Sequence, residues 1–180
     1  MPLHFAYGSN MDIEAMRARC PASRPIGPAR LPRHRFAITP EGYASVVRDP
    51  RRGVHGLLWD LALADMPALD RYEGTAGRLY VKVTQPVLTA GGPRRALVYV
   101  GRGEGGRARP GYLEAVVAAA LAAGLPAAAL AELRALMPRG GGAGAEDAPR
   151  TPAGLRAGVR PTRASPADPV PPARAWSWEP

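Results

Sequence analysis

The chain has 180 residues, 46% of them hydrophobic, a formal net charge of +9 and a single cysteine. That suffices for one globular core, and it excludes an internal disulfide and a Cys-ligated metal site. No apolar run approaches the roughly 20 residues needed to span a bilayer as a helix. Met1 leads straight into a strand pattern without a basic segment and an apolar stretch of signal-peptide type, so a soluble, cytoplasmic protein is expected. The positive charge is almost all arginine, Lys82 being the only lysine, and it is spread along the chain. This reads as a compositional bias, with no specific nucleic-acid site expected.

Residues 2–7 have the pattern of a central strand that stops abruptly at Tyr7-Gly8. Ser9 and Asp12 match a capping box, which predicts a helix from Met11 to the Cys20-Pro21 step. A strand turning sharply into a helix exposes backbone N–H groups beside a positive dipole end, a geometry that accepts a carboxylate or phosphate. Read alone, this is also an ordinary capped strand–turn–helix. Cys20, at the wrong end of that helix for a stabilised thiolate, is expected to be structural.

Residues 26–31 and 34–38 read as two short strands separated by Pro32-Arg33, and 44–48 as a third after a turn at Pro40-Glu41-Gly42. Asp49 to Gly53 reads as a loop. Residues 54–61 form an apolar run containing Gly56, consistent with a buried strand that another backbone approaches closely. Asp65 to Tyr72 predicts a short helix, with Asp65 at its cap and Pro67 in its first turn, followed at once by Glu73-Gly74. A carboxylate at the negative end of a helix dipole, in partial burial, is pushed toward neutrality and can exchange protons near pH 7. Against this stands a plain solvated glutamate before a capping glycine.

Residues 78–88 alternate as a strand, Gly91-Gly92-Pro93 marks a hairpin, and 95–100 follows as its partner. Gly101-x-Gly103-x-x-Gly106 has the spacing of a dinucleotide fingerprint, but no helix opens there and no acidic residue follows at the required distance. It is expected to be a mobile loop near a pocket mouth. Residues 112–123 and 126–137 carry apolar stripes of packing helices, separated by Gly124. From 140 to 180 the chain turns to Gly, Ala, Pro and Arg without periodicity, so disorder is expected despite Trp176 and Trp178. The domain is thus 1–139 and the tail 140–180. His4, His34 and His55 lack metal-ligand spacing, and no metal site is expected.

Phe5-Ala6-Tyr7-Gly8-Ser9-Asn10-Met11, then Val54 to Trp59, then Leu69-Asp70-Arg71-Tyr72-Glu73-Gly74 with Tyr80 beyond, resembles the γ-glutamylcyclotransferase-like family, from about Pro2 to Leu136. The resemblance implies an α+β fold, a small mixed and mostly antiparallel β-barrel with helices packed outside. It also implies an enzyme that closes the α-amine of a γ-glutamyl compound on its own γ-carbonyl, releasing 5-oxoproline and an amine or amino acid. On that reading Glu73 is the general acid/base. Gly8, Ser9 and Asn10 hold the α-carboxylate by their backbone, and Tyr7, Tyr80 and Tyr112 wall the pocket. No cofactor is implied, and the partner is a small γ-glutamyl molecule. Ser9 has neither an elbow motif nor a base to make it a nucleophile. The alternative is a binding module of the same fold with little turnover.

Overall fold

In the computed structural model, which describes residues 1–77 and 79–137, five strands close into a barrel in the order β1-β3-β2-β4-β5. β1 (Leu3–Ala6) lies between two neighbours. It runs antiparallel to β3 (Ala44–Asp60), from Leu3↔Asp60 to Ala6↔Leu57, and meets β5 (Gly92–Gly101) in parallel at His4↔Leu97. β2 (Arg24–Ile38) pairs antiparallel with β3, β4 (Tyr80–Thr89) pairs antiparallel with β5, and a bridge at Arg30↔Leu88 joins these two hairpins. The expected mixed, mostly antiparallel barrel with flanking helices is the observed fold.

Within that fold, β2 and β3 are each one long strand where the sequence suggests two. Pro32-Arg33 looks like a break but is a bulge: the register slips between Pro32 and His34, and Arg33 adopts φ 58. A bulge bends a strand and leaves the ladder on either side intact. Residues 49–53, expected as a loop, therefore stay in strand, with Pro32 opposite Gly53. The prolines at 25, 28 and 32 are tolerated because β2 has β3 along one edge and only the Arg30↔Leu88 bridge on the other.

The helices also begin differently from expectation. Residues 9–11 form a 3₁₀ turn in which Ser9 makes no capping bond, and α1 (Ile13–Arg19) starts beyond it. The cap is Asp12, whose carboxylate accepts from the N–H groups of Glu14 at 3.0 Å and Ala15 at 3.1 Å. Asp65 does not cap α2 (Met66–Tyr72). Its buried carboxylate accepts instead from Ala22 N–H at 3.0 Å and the Ser23 hydroxyl at 2.7 Å, lashing the α1–β2 connection to the β3–α2 connection. Pro67 does sit in the first turn of α2, and Gly74, at φ 62, ends it. α3 (Tyr112–Ala122) and α4 (Ala127–Ala135) each bury one face, Leu113, Val116 and Ala120 on the first and Leu130 and Leu133 on the second, but Leu121, expected within the apolar stripe of α3, is exposed. The predicted tail from 140 onward, with Trp176 and Trp178, lies outside the described residues. Among those described, no helix is long and apolar enough to cross a membrane.

Alternation along β1 divides the apolar side chains between two layers. Phe5 and Tyr7 point into the barrel with Leu31, Val46, Leu58 and Val98. Ala6 faces outward, toward Met11, Trp59, Leu69 and Tyr99 and the stripe of α3 and α4. Gly56 shows how tightly β3 seats against β1: a Cβ there would stand 2.1 Å from the Ala6 carbonyl oxygen and 2.8 Å from the Phe5 ring. Gly56→Ala must therefore push β1 away from β3. We expect a loss of about 1–3 kcal/mol, read as a lower urea midpoint at unchanged slope; an unchanged midpoint would show that the strands separate freely.

Candidate active site

β1 leaves the barrel wall at Ala6, and the chain turns through Tyr7-Gly8 into the 3₁₀ turn. Gly8 is required there by space. A Cβ would lie 3.0 Å from both the Ala44 Cβ and the Tyr112 hydroxyl. Around this turn lies a pocket holding about 300 Å³ of atom-free space, partly open to solvent. All seven residues singled out from the sequence line it: Tyr7, Gly8, Ser9, Asn10, Glu73, Tyr80 and Tyr112. His4, Ala44 and Tyr99 join them.

Glu73 arrives from the far side of the fold. It follows α2 directly, its N–H donating to Leu69 O at 2.9 Å, so its side chain projects from the helix end. α2 is anchored from beneath. The Asp70 carboxylate takes two bonds from Lys82 Nζ, at 2.9 and 2.8 Å, and one from the Tyr99 hydroxyl at 2.6 Å. Burial opposes the charge on Asp70, but the Lys82 and Tyr99 hydrogen bonds prevail and hold its pKa below the ordinary value. Thus β4 and β5 together fix the helix that presents Glu73.

The Asn10 amide donates to Glu73 Oε1 at 2.5 Å across 63 positions of sequence. Burial pushes the Glu73 pKa up from 4.5 to about 7, against the opposing effects of the Asn10 hydrogen bond and the Arg19 charge. A carboxyl group poised there accepts and returns a proton at neutral pH with little cost in either direction.

The tyrosines are committed more fully than the sequence indicates. Tyr7 donates its hydroxyl proton to Tyr99 O at 2.5 Å, and Tyr80 donates to Ala44 O at 2.8 Å. Tyr112 accepts from Ala44 N–H at 3.1 Å and faces the Ser9 N–H. Burial is the main cause that raises all three pKa values well above the ordinary 10, so they remain neutral phenols. To an occupant, Tyr7 and Tyr80 offer oxygen lone pairs.

The sequence reading passed over a second layer. Arg19, from the last turn of α1, donates to Asn10 Oδ1 at 2.5 Å and stacks over the Tyr72 ring at 3.2 Å. The Tyr72 hydroxyl in turn meets Ser9 Oγ at 3.1 Å. The available signal was a basic residue at a helix C-terminus, too common to single out. Cys20 is buried, its thiol pushed up to about 11 chiefly by burial, as befits a structural residue. His4 is buried and neutral: burial lowers its pKa to about 4, and Nδ1 bonds Leu97 O at 3.2 Å. Among the described residues no cluster of His, Cys, Asp or Glu is arranged to hold a metal. The 101–109 loop, expected to be mobile, is tied down by Gly106 N–H to Ile38 O at 3.1 Å, Arg109 N–H to Gly42 O at 3.2 Å, and an Arg35–Glu104 ion pair.

The fold is a small closed barrel whose pocket sets a carboxylate against a strand–turn junction, and comparison with known proteins supplies the family. Residues 4–114 match the family described as gamma-glutamyl cyclotransferase, AIG2-like, and the chain belongs to it. A gamma-glutamylcyclotransferase of Bos taurus is 30% identical over 100 residues, which cover 50% of this chain and 53% of the relative. The match thus spans about half the length of that curated relative. A solved gamma-glutamyl cyclotransferase superposes with a TM-score of 0.71 at 24% identity, over 78% of this chain and 90% of the other. An uncharacterized protein from Homo sapiens gives 0.70 at 25% identity, over 77% and 89%.

The raised Glu73 pKa carries a consequence for stability. The folded state prefers the protonated carboxyl, so that preference contributes fully below pH 4.5 and is lost as pH rises through about 7. Glu73→Gln keeps the acceptor for Asn10 and removes the ionisation. At pH 8 it should be more stable than the parent by up to about 3 kcal/mol, the 1.36 kcal/mol per pKa unit setting the ceiling. At pH 4 the two should converge. Thermal melts across that range read the difference; a gap independent of pH would mean that Glu73 ionises freely.

Proposed function

We propose that this chain is a γ-glutamyl cyclotransferase-type enzyme that releases 5-oxoproline and an amine or amino acid from a small γ-glutamyl compound. The observation that carries this reading is the Glu73 carboxylate, near neutrality in its pKa and held against the Gly8–Asn10 turn. The pocket's polar groups suit a γ-glutamyl head. The lone pairs of Tyr7 and Tyr80, together with Glu73, favour an ammonium group. The backbone N–H groups of the Gly8–Asn10 turn favour a carboxylate or a developing oxyanion.

In the reaction, Glu73 takes a proton from the α-ammonium group, and the freed amine attacks the γ-carbonyl carbon. A C–N bond forms and the carbonyl electrons move onto oxygen. The adduct then expels the original amine as the carbonyl re-forms, closing the five-membered lactam. Two protons leave the attacking nitrogen and two reach the leaving one, and a single carboxylate carries them in turn. Holding the substrate with its amine folded over its own carbonyl supplies much of the rate, because an intramolecular attack needs no second reactant.

Glu73→Gln should fold as the parent does and lose 5-oxoproline release by at least about 100-fold, the usual scale of a lost acid–base group. The assay is 5-oxoproline formation from γ-glutamyl amino acids and γ-glutamyl amines, tested in parallel. Parental rates in the variant would remove Glu73 from the chemistry.

A further inference from the structure

Arg19 donates to the pocket residue Asn10 but does not itself line the pocket or bond to Glu73. Its guanidinium is bonded to an uncharged amide and laid on an uncharged ring. Among the described residues no carboxylate lies within ion-pair distance of it. A partly buried arginine with only neutral partners needs a reason, and the geometry supplies one. An amide has one acceptor end and one donor end. With Oδ1 occupied by Arg19, Asn10 has to turn its NH₂ toward Glu73. Without Arg19 the amide is free to rotate, and its oxygen would then face the carboxylate and repel the ionised form.

The second contact of the same side chain is with the last residue of α2, directly ahead of Glu73. Stacking on Tyr72 holds the ring whose hydroxyl meets Ser9 Oγ. The turn at residues 9–10 and the helix end at 72–73, which meet in the Asn10–Glu73 bond, are thereby both held to the end of α1. We propose that Arg19 is a positioning residue that orients the Asn10 amide and, through it and Tyr72, fixes the place and charge state of the Glu73 carboxylate. This deepens the cyclotransferase reading and rests on it for its catalytic consequence.

The groups facing Glu73 leave Arg19 a distinct electrostatic role. Tyr7 at the end of β1, Tyr80 on β4, Tyr99 on β5 and Tyr112 on α3 are phenols that burial keeps neutral. His4 on β1 is neutral above about pH 4. Asp70 on α2 is negative but is paired with Lys82 of β4. Arg19 is then the cation whose field favours ionised Glu73. Removing it should raise the pH at which Glu73 gives up its proton.

The test compares Arg19→Met and Arg19→Lys with the parent in two independent readouts. One is the pH dependence of kcat and KM for 5-oxoproline release. The other is ¹³C NMR titration of side-chain carboxyls in Glu-labelled protein, with Glu73 assigned by its absence in Glu73→Gln. In Arg19→Met the Glu73 titration and the acid limb of kcat should both move up by about one pH unit. In the same variant kcat should fall about 10- to 100-fold, the scale of a small misplacement, with KM changing much less. Arg19→Lys should restore most of the titration but only part of kcat, because an ammonium cannot both bond the amide and stack flat on Tyr72. An Arg19→Met protein with parental titration and parental kcat overturns the proposal. So does one whose activity falls only as its folded fraction falls, with an unmoved acid limb. Should the parent itself release no 5-oxoproline, the cyclotransferase reading fails, and the NMR titration alone still decides the role of Arg19.

Discussion

The Asn10–Glu73 hydrogen bond joins two segments 63 positions apart, and the pocket exists only where they meet. A carboxylate in such a place is an expense for the fold, since burial disfavours its charge. The surroundings offset that cost in two ways. Asn10 supplies a donor directly, and Arg19 supplies a positive field one residue further back. Neither is strong enough to return Glu73 to an ordinary carboxylate, and the balance settles near pH 7. A lysine in direct contact would have overshot. Lys82 and Asp70 illustrate this on the neighbouring turn of α2, where a direct ion pair and a phenol hydroxyl hold the acid below its usual range.

Around this balance the polar atoms are divided by task. Tyr7 and Tyr80 use their protons to bind carbonyls of Tyr99 and Ala44, which fixes both rings. The same bonds leave the phenol oxygens facing the pocket as acceptors. Tyr112 does the reverse, accepting from Ala44 N–H above the Gly8 turn. Trp59 binds the Asn10 carbonyl at 3.1 Å, so that the residue supporting Glu73 is itself held by the barrel wall. Rigid rings and backbone partners cost little conformational entropy to hold in place, and a pocket made of them is set before any ligand enters.

What was legible in the sequence follows from which signals are local. Gly8, Gly56 and Gly74 announce close approaches or a helix end, and each proves to be one. The end of the first strand near Tyr7 and the helix end at Glu73 were equally plain, but that these segments share a pocket with Tyr80 and Tyr112 came from the family resemblance. The continuity of β2 and β3 was not legible, because Pro32-Arg33 signals a break, while a cross-strand partner turns it into a bulge. Ser9 and Asp12 both make acceptable caps, and the choice of Asp12 reflects the 3₁₀ turn that Asn10 and Trp59 impose ahead of it. Asp65 has good capping chemistry too, yet Ala22 and Ser23, over forty residues away, claim its carboxylate. Arg19 was invisible for the same reason: its partners are defined only by the packing of α1 on α2.

The pocket draws on β1, the turn after it, α2, β4, β5 and α3, so no single hairpin contains it. β1 meets β5 only in parallel, at His4↔Leu97, and these partners are 93 positions apart in sequence. Closing the barrel across that gap is the step with the greatest loop entropy to overcome. The bond from Tyr7 to the Tyr99 carbonyl spans the same seam, and both residues line the pocket with Glu73. Barrel closure and pocket assembly are therefore the same event. A substitution that loosens the β1–β5 seam should disturb the Glu73 environment well before it unfolds the β2–β3 ladder, whose contacts are local to one long hairpin.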